Sequence, residues 1–394
     1  MEWKEVDICQ LCDSVSETYK GNASEVVLIN TSDVLDGKCL NHEYVPNKKL
    51  KGQFKKTFRK GDILYSEIRP ANKRFCFVDF EPKDYIASTK LMVLRAHEDV
   101  APQYLYQILR SNDTLTQLQM IAESRSGTFP QITYSELSNI MVSLPSQKAQ
   151  KNIVSILSSL DRKIELNNKI NADLEEMAQA IFKNRFVDFE PFKDGKFVDS
   201  ELGMIPEGWK VGSPYEYVKV VYGAPYKSAK FNDNGEGLPL IRIRDLKDCN
   251  PQFYTPEILP QTEYVNKGDI VAGMDAEFVP HIWKGNIGLL NQRVCKLMPQ
   301  QTSISNLFVL YLMKPELEFV QSYKTGTTVS HLGKADIDKF VVVLPPLEVV
   351  EECSKILDSI LQRIRNISAE SRNLSLLRDT LLPRLMSGEQ EVPE

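Results

Sequence analysis

Residues 153–182 have the sequence IVSILSSLDRKIELNNKINADLEEMAQAIF, in which apolar side chains recur in alternating steps of four and three. This spacing is typical of the a/d seam of a coiled coil, and the stretch contains neither proline nor glycine. Residues 353–382, CSKILDSILQRIRNISAESRNLSLLRDTLL, repeat the pattern in matching register. The predicted seam positions are Ile153, Leu157, Leu160, Ile164, Asn167, Asn171 and Leu174 in the first stretch, and Leu357, Ile360, Ile364, Ile367, Leu374 and Leu381 in the second.

Two such helices are too long for a small neighbouring domain to cover, so we expect them to pair with each other. Asn167 and Asn171 interrupt the apolar seam. A buried polar residue can fix the register of a coiled coil at a cost in stability. The alternative is that both asparagines are merely tolerated near an exposed edge. The sequence leaves these two interpretations open.

Comparison of the sequence with itself indicates an internal duplication with an offset of roughly 200 residues. Four short matches keep the same order in both halves. They are Trp3-Lys4 with Trp209-Lys210, Lys60–Ile63 with Lys267–Ile270, Ser126–Thr128 with Thr325–Thr327, and Leu144-Pro145 with Leu344-Pro345. The hexapeptide FVDFEP also occurs twice, at 77–82 and 186–191, but its offset does not fit and we treat it as coincidence.

Each half begins with a mixed segment of short β-rich runs and one amphipathic helix. The expected strands are 26–30, 63–68, 75–80 and 91–95 in the first half, and 238–243, 269–273, 287–290 and 294–298 in the second. The expected helices are 103–121 and 307–323, the latter kinked or broken by Pro315. Both segments close on a strand-like run, NIMVSLP or KFVVVLP.

These patterns predict an α+β fold: two similar α+β domains at opposite ends of an antiparallel two-helix coiled coil, with a pseudo-two-fold internal duplication. The predicted boundaries are 1–145 for domain 1, 146–186 for the first long helix, 187–207 for a linker, 208–345 for domain 2 and 346–394 for the second long helix.

Composition points to a soluble intracellular protein. The 394 residues are 42% hydrophobic, and no apolar run approaches the roughly 18 residues that a membrane-spanning helix needs. The first ten residues, MEWKEVDICQ, lack the layout of a signal peptide. Seven cysteines, an odd number, fit reduced thiols. We therefore expect a cytoplasmic location.

The net charge of −5 does not by itself indicate a nucleic-acid-binding protein. Phosphate binding requires only a local concentration of basic side chains, however. Residues 46–61, PNKKLKGQFKKTFRKG, hold seven basic residues and no acidic one. The alternative for such a run is a solvated loop anchored by its two phenylalanines.

No catalytic or cofactor-binding residue is predicted. The chain has no GxxxxGK[ST] phosphate loop. Leu-Pro-Pro at 344–346 lacks the preceding Asn or Asp that an amino-methyltransferase needs, and the glycine-rich run 233–237 precedes a predicted strand and is typical of a turn.

One group of residues has the composition of a zinc site. Cys9 and Cys12 are spaced as a C-x-x-C pair, and Cys39 and His42 form a second pair. Cys9 and Cys12 are expected to lie in a helix, whereas Cys39 and His42 are expected to follow a hairpin turn. We assign these residues to ordinary packing and predict no metal ligand.

Three segments resemble the DNA-specificity subunits of type I restriction–modification enzymes. They are 160–168 (LDRKIELNN), the linker 186–191 (FVDFEP) continuing to 205–209 (IPEGW), and 377–388 (LRDTLLPRLMSG). The resemblance extends over essentially the whole chain. It implies that each α+β domain is a target-recognition domain for one half of a split DNA site, with the coiled coil setting the spacing.

The resemblance also implies the partners. Two modification (methyltransferase) subunits would dock against the helices and methylate adenines, and two restriction (translocase/nuclease) subunits would complete the complex. S-adenosylmethionine, ATP and magnesium would belong to those partners, and this chain would carry no cofactor and catalyse nothing.

Candidate DNA-binding residues follow from the repeat and the charge pattern. Lysines mostly contact phosphate, whereas arginine, glutamine and polar loop residues can contact bases. Lys48, Lys49, Lys51, Lys55, Lys56, Arg59 and Lys60 form the basic run, and Arg69, Arg74, Gln131, Arg242, Arg244 and His331 are the candidates for base contact. Arg242 and Arg244 are expected to alternate on a strand and so to face one side. The matched loops 124–131 and 324–331 add Ser126, Thr128, Thr325, Thr327 and Thr328, and Lys227 and Lys230 complete the set.

A two-domain transcriptional or architectural DNA-binding regulator is the alternative from another class. A stand-alone methyltransferase is disfavoured by the missing motifs. Neighbouring genes for an adenine methyltransferase and a helicase-nuclease would favour the specificity subunit over the regulator.

Overall fold

The computed structural model describes residues 3–48, 52–124, 130–324 and 331–390. Contacts within the chain divide it into two compact units. Unit 1 combines residues 1–163 with residues 374–394, and unit 2 holds residues 164–373. Neither unit coincides with one predicted repeat, because each long helix contributes residues to both units.

Two helices of 40 residues each are the longest elements in the described part of the chain. In chain order the helices are α1 Pro102–Arg110, α2 Asn112–Ser124, α3 Tyr134–Ser138, α4 Gln147–Phe186, α5 Asn306–Lys324, α6 Lys334–Ile337 and α7 Leu347–Met386. Helix α7 ends at Met386, before the predicted limit of 394, and Gly388 just beyond it takes a positive φ of 78°. A glycine in this conformation is a common helix terminator.

The strands are short in both units. Those of unit 1 are β1 Lys4–Asp7, β2 Cys12–Val15, β3 Glu25–Ile29, β4 Val34–Leu35, β5 Lys38–Cys39, β6 Val45–Pro46, β7 Phe54–Lys56, β8 Ile63–Ser66, β9 Phe75–Phe77, β10 Tyr85–Ser88, β11 Leu91–Ala96 and β12 Met141–Leu144. Those of unit 2 are β13 Phe197–Ser200, β14 Gly203–Pro206, β15 Lys210–Gly212, β16 Val218–Tyr222, β17 Leu238–Ile241, β18 Tyr254–Thr255, β19 Tyr264–Val265, β20 Ile270–Gly273, β21 Pro280–Ile282, β22 Gly288–Leu290, β23 Val294–Pro299 and β24 Val342–Leu344.

The sheets of the two units have the same topology. In unit 1 the strand orders are β2-β11-β8-β9 and β6-β3-β10-β7, and β1 pairs with β12. In unit 2 they are β16-β23-β20-β21 and β18-β17-β22-β19, and β15 pairs with β24. Even the parallel pair recurs, as β3 with β10 and as β17 with β22. The predicted fold class, two similar α+β domains arising from a duplication and joined to paired long helices, is confirmed.

The repeated Lys-Gly-Asp-Ile sequence forms the same turn in both units. Gly61 and Gly268 have φ values of 91° and 90°, a region that side chains with a Cβ rarely adopt. The carboxylate of Asp62 accepts a hydrogen bond from the backbone N–H of Arg59 at 2.9 Å, and Asp269 accepts one from Asn266 at 2.8 Å. This sequence match therefore corresponds to a shared turn at the entry into β8 and β20.

In unit 2 the long helices run antiparallel. Asn167 donates to a carboxylate oxygen of Glu370 at 2.9 Å, and Asn171 donates to the hydroxyl of Ser368 at 3.1 Å. Both asparagines are buried, with residue exposures of 1% and 4%. The interpretation of tolerated residues near an exposed edge is therefore wrong. Buried amides that donate across a helix seam favour the register in which those hydrogen bonds form.

Unit 1 contains the other ends of the same helices, also antiparallel. Ile153 and Leu157 of α4 are fully buried in one cluster with Leu385 of α7. The carboxylate of Asp161 accepts from the guanidinium of Arg378 at 2.7 Å and from that of Arg110 at 3.1 Å. The remaining predicted seam positions, Leu160, Ile164, Leu174, Leu357, Ile360, Ile364, Ile367, Leu374 and Leu381, are buried or partly buried within their own units.

Each mixed domain packs a helical layer on its sheet and on the long helices. In unit 2, Phe308 of α5 contacts Phe182 and Phe186 of α4 at ring-centroid distances of 5.6 and 5.2 Å. In unit 1, the side chains of Tyr104 and Leu105 in α1 belong to the same fully buried cluster as the start of α4. The long helices are thus part of each domain's hydrophobic core.

Two local predictions are wrong, and a third is wrong in part. The segment 103–121 is two helices, because Ser111 has an extended backbone and its hydroxyl accepts from the N–H of Thr114 at the start of α2. Of the two alternatives predicted for Pro315, the break is excluded, because Pro315 lies inside α5 and its neighbours Met313 and Leu317 are fully buried in the core. Strand β17 ends at Ile241, so Arg242 and Arg244 do not alternate on a strand.

The linker 187–207 has structure of its own. Strands β13 and β14 form an antiparallel hairpin. The rings of Phe186, Phe189 and Phe192 surround Trp209 at centroid distances of 6.0, 5.3 and 5.1 Å. The contacts of Phe189 and Phe192 with Trp209 are edge-to-face, an arrangement that adds stabilisation beyond area burial. The FVDFEP and IPEGW segments are therefore joined by contact in unit 2.

We expect Asp62→Ala to destabilise unit 1 by about 3 kcal/mol, because it leaves the guanidinium of Arg95 without its buried partner. Arg95 donates to both carboxylate oxygens of Asp62 at 2.8 Å, and the Asp62 side chain is 1% exposed. The matched control is Glu17→Ala. Glu17 accepts from the same guanidinium at 3.0 Å but is 61% exposed, so its loss should cost about 1 kcal/mol or less. Urea titration followed by hydrogen exchange of unit 1 amides measures both, and equal costs would contradict the assignment.

Candidate nucleic-acid interface

In each unit, the end of the predicted polar loop is linked through hydrogen bonds to the same pair of backbone segments. In unit 1, the N–H of Glu67 donates to the carbonyl of Lys90 at 3.1 Å, and the N–H of Ile132 donates to the carbonyl of Glu67 at 2.8 Å. An isolated bridge pairs Ile68 with Gln131. The end of β8, the turn before β11 and the end of the polar loop are thereby held together. We call these residues, 67–69, 90 and 130–132, the loop edge of unit 1.

Unit 2 repeats this arrangement bond for bond. The N–H of Met274 donates to the carbonyl of Arg293 at 2.9 Å, and the N–H of Leu332 donates to the carbonyl of Met274 at 2.7 Å. Asp275 bridges to His331 as Ile68 does to Gln131. Residues 274–276, 293 and 331–332 therefore form the loop edge of unit 2.

Both loop edges contain a residue other than glycine with a left-handed backbone. Arg69 has a φ of 44°, and Ala276, at the corresponding place in unit 2, has a φ of 61°. Such residues cost of order 1–3 kcal/mol each and cluster at functional sites. A strained conformation that is kept in both copies of a duplication points to the loop edges as functional positions.

The polar side chains at the loop edges differ between the units. In unit 1, the ammonium of Lys90 lies 3.3 Å from the amide oxygen of Gln131 and 3.6 Å from a carboxylate oxygen of Glu67. In unit 2, one carboxylate oxygen of Asp275 lies 2.7 Å from Nδ1 of His331, and the other lies 3.3 Å from Nε of Arg293. The two edges thus share a backbone frame and present different hydrogen-bonding groups.

Gln131 and His331 were predicted from sequence, whereas Lys90, Arg293 and Asp275 were not. The duplication places Lys90 and Arg293 at equivalent positions, because each lies just before the strand that pairs with β8 or β20. No identical residues mark that position in the two halves, so short sequence matches could not reveal it.

The basic run is only partly available to a ligand. Lys48, Lys55, Arg59 and Lys60 are exposed. Lys56 is half-buried, and its ammonium donates to the carbonyls of Thr89 and Leu91 at 3.2 and 2.7 Å. Burial lowers the pKa of Lys56. The placement of Lys56 among phosphate-contacting residues is therefore at odds with its structural role between β7 and β10–β11.

Two arginines predicted for base contact are engaged within the fold. Arg74 donates to the carbonyl of Ser32 at 3.0 Å. The guanidinium of Arg242 contacts Asp245 at 3.3 Å and lies over the ring of Phe253 at 4.3 Å. Cation–π and ion-pair contacts of this kind hold a side chain in place. Arg69 and Arg244 are exposed.

Lys227 and Lys230 lie beside a carboxylate. The backbone N–H of Lys227 and the ammonium of Lys230 each contact Glu257 at 2.9 Å, and together they lower the pKa of that carboxyl. The positive charge of Lys230 is thus partly neutralised. Seven further candidates, Lys49, Lys51, Ser126, Thr128, Thr325, Thr327 and Thr328, lie outside the described residues.

The four residues of the suspected zinc site do not converge. Cys9 lies in a single 3₁₀ turn and Cys12 begins β2, so the predicted helix is wrong. Burial raises the pKa of the Cys12 thiol to about 12. Cys39 lies beside Cys76, and Nδ1 of His42 lies 2.9 Å from the hydroxyl of Tyr85. Among the described residues, no group of three or more His, Cys, Asp or Glu side chains could hold a metal ion.

Comparison with known proteins identifies the class. The sequence profile of the type I restriction modification DNA specificity domain matches the chain twice, at residues 2–176 and 206–374. The chain therefore belongs to this family, with two tandem copies of its domain. The match covers both mixed domains and most of both long helices.

Individual relatives agree with this assignment. The chain is 31% identical to the type I restriction enzyme HindI specificity subunit of Haemophilus influenzae, with coverage of 98% of this chain and 99% of that protein. It is 26% identical to the MjaIX specificity subunit of Methanocaldococcus jannaschii, over 90% and 85% of the two chains. The fold resembles that of a type I restriction–modification S subunit from M. genitalium, with a TM-score of 0.53, 15% identity and coverage of 98% and 96%. No helix in the described ranges is long and apolar enough to cross a membrane.

We expect Lys55→Ala and Lys60→Ala each to weaken binding to all DNA sequences alike, because exposed lysines contact phosphate without reading bases. Each should lower the slope of log affinity against log salt by roughly one. Lys56→Ala is the contrast: it should leave the slope unchanged and lower stability instead. Fluorescence anisotropy with random-sequence duplexes over a salt series measures the slopes. If all three variants keep the slope of the unaltered protein, residues 46–61 do not contact phosphate and the interpretation as a solvated loop is correct.

Proposed function

We propose that this chain is the DNA-specificity subunit of a type I restriction–modification complex and that each of its domains recognises one half of a bipartite DNA site. The observation that carries the proposal is the duplicated loop edge. The same backbone frame occurs once in each unit, and its side chains differ. Two similar frames with different donors and acceptors suit two different half-site sequences.

Each loop edge is suited to a DNA groove because rigid strands hold the side chains that differ between the two units. Backbone hydrogen bonds of 2.7 to 3.1 Å tie each loop edge to strands whose side chains are buried in the domain core. Side chains held this way lose little conformational entropy on binding, which favours discrimination between bases. The exposed lysines of residues 48–60 would add contacts to phosphate that do not depend on sequence.

The long helices would set the distance between the two half-sites and would bind two modification subunits. Several large apolar side chains on them are exposed, which is unusual for surfaces that stay in water. They are Leu166, Met177 and Ile356 in unit 2, and Leu376 and Leu377 in unit 1, with residue exposures between 47% and 67%. Burial of these side chains against a partner would supply docking energy at about 25 cal/mol per Å² of apolar surface.

We further propose that the chain has no catalytic activity. Methyl transfer and DNA cleavage would be carried out by two modification and two restriction subunits, which would bind S-adenosylmethionine, ATP and magnesium. The support is the sequence itself, which lacks nucleotide-binding and methyltransferase motifs.

A two-domain transcriptional or architectural regulator is the second candidate, favoured only by the presence of two similar loop edges. The two candidates differ in their partners. A regulator would act alone at its sites, whereas a specificity subunit would copurify with a methyltransferase. Coexpression with the neighbouring genes, followed by affinity purification of this chain, separates the two.

The purified chain should neither methylate nor cut DNA, even at protein concentrations stoichiometric with DNA. Addition of its modification subunits and S-adenosylmethionine should produce adenine methylation at one split motif. Incorporation of a labelled methyl group into DNA measures this outcome. Methyl transfer by the chain alone would overturn the proposal.

Insertion of one heptad into each long helix should lengthen the spacer of the recognised site. The insertions belong after Asn171 in α4 and before Ser368 in α7, because these two residues hydrogen-bond to each other. Seven residues add about 10 Å of helix, or about three base pairs at roughly 3.4 Å each. The half-site sequences should stay unchanged, since neither loop edge is altered.

The control for this prediction is a heptad inserted into α4 alone, which mismatches the seam and should reduce stability. The measurement is the methylated motif made by each subunit together with its modification partner. A stable, active double-insertion variant with the original spacer would show that the helices do not set the separation.

A further inference from the structure

We propose that Arg293 and His331 read bases of the half-site bound by unit 2, and that Asp275 is a positioning residue that orients both. This inference rests on the proposed function and deepens it, because it names the groups that recognise one half-site and the chemistry of the bases they take.

The first step is the geometry around Asp275. Its two carboxylate oxygens are engaged by different side chains, Oδ1 with Nδ1 of His331 at 2.7 Å and Oδ2 with Nε of Arg293 at 3.3 Å. The Asp275 side chain is 29% exposed, whereas those of Arg293 and His331 are 55% and 47% exposed. The carboxylate is thus the inner member of the group, and the two side chains it holds are the outer members.

The second step is what each outer side chain presents. An ionised carboxylate only accepts hydrogen bonds, so the ring nitrogen of His331 that faces Asp275 carries the proton. In the neutral ring the opposite nitrogen, Nε2, is then an acceptor. In Arg293 the contact uses Nε, and among the described residues no partner is seen for its two terminal nitrogens. Those nitrogens form the fork that matches two acceptors on one edge.

The third step is the complementary base chemistry. In the major groove, guanine offers O6 and N7 as paired acceptors, which arginine recognises with two hydrogen bonds. Adenine N6 and cytosine N4 are the amino groups that an acceptor such as Nε2 of His331 can bind. We therefore infer that the half-site of unit 2 contains a guanine bound by Arg293 next to an adenine or cytosine whose amino group is bound by His331.

The fourth step is the comparison with unit 1. There Lys90 stands where Arg293 does, Gln131 stands where His331 does, and the position of Asp275 is occupied by Ile68. Unit 1 therefore lacks a central carboxylate on the bridging residue, and Glu67 is the acidic side chain nearest Lys90, at 3.6 Å. Of the two loop edges, only that of unit 2 has one carboxylate that orients both side chains. The effects of replacing Asp275 should therefore be confined to the half-site bound by unit 2.

The experiment uses the full chain together with its modification subunits. A pool of duplexes with randomised bases is bound, and the bound fraction is sequenced. Unaltered protein should enrich one bipartite motif. Arg293→Ala should lower discrimination at one base pair of one half-site by about 10- to 100-fold, and Arg293→Lys, which keeps the charge but not the fork, should do the same. The other half-site should be enriched as before.

Asp275→Asn tests the positioning role separately. Removal of a negative charge near DNA should strengthen binding to all sequences if Asp275 acts only through its charge. If Asp275 orients the two side chains, discrimination at the same half-site should instead fall, while the salt dependence of binding to non-specific duplexes stays within about one unit of slope. Lys219→Ala is the charge-matched control for Arg293→Ala, since Lys219 is exposed on β16 and outside the loop edge. Thermal unfolding checks that each variant is folded.

The outcomes distinguish a failure of this inference from a failure of the proposed function. If unaltered protein enriches no bipartite motif, the proposed function fails and this inference fails with it. If it enriches such a motif while Arg293→Ala and Asp275→Asn, both folded, leave both half-sites intact, the proposed function stands and this inference is overturned. Relaxation of one half-site by both variants, with Lys219→Ala unchanged, supports it.

Discussion

The seam between the long helices is the constraint on which the rest of the structure depends. A helix of 40 residues with an apolar stripe cannot remain stable in water unless another surface covers that stripe. In each unit the cover is the antiparallel segment of the other long helix, together with one mixed domain. Asn167 and Asn171 meet Glu370 and Ser368 across this seam, so the pairing is fixed in register as well as in direction.

The scaffold could be predicted because it follows periodic rules. Heptad spacing revealed the seam, and four short matches revealed the duplication. The individual functional side chains follow no such rule. Arg242 looked like a base-reading group on a strand, but Asp245 and Phe253 hold it within the fold. Lys56 belonged to an unbroken basic run, yet two backbone carbonyls engage it. Sequence shows that a charge is present but not which groups neutralise it.

The loop edges show why some candidate positions escaped sequence comparison. Their likeness lies in backbone hydrogen bonds, which any residue can make, and in a left-handed residue that is arginine in one unit and alanine in the other. The two loop edges thus keep one backbone frame while carrying different side chains. Lys90 and Arg293 occupy equivalent places on this frame, but no short identity marks them, and the short identities mark neighbouring turns instead.

The division of the chain into units also sets an order for its synthesis and folding. Unit 2 needs only residues 164–373, whereas unit 1 needs the segment from residue 374 onward. Leu385 is buried in the core of unit 1, and Trp3, near the start of the chain, packs against the same cluster. Domains generally fold as they leave the ribosome, the N-terminal one first. Here the domain that emerges first must wait for the last helical turns, and until then the apolar side chains of Ile153 and Leu157 lack part of their cover. The first mixed domain can therefore complete its core only after residues 374–386 have been synthesised.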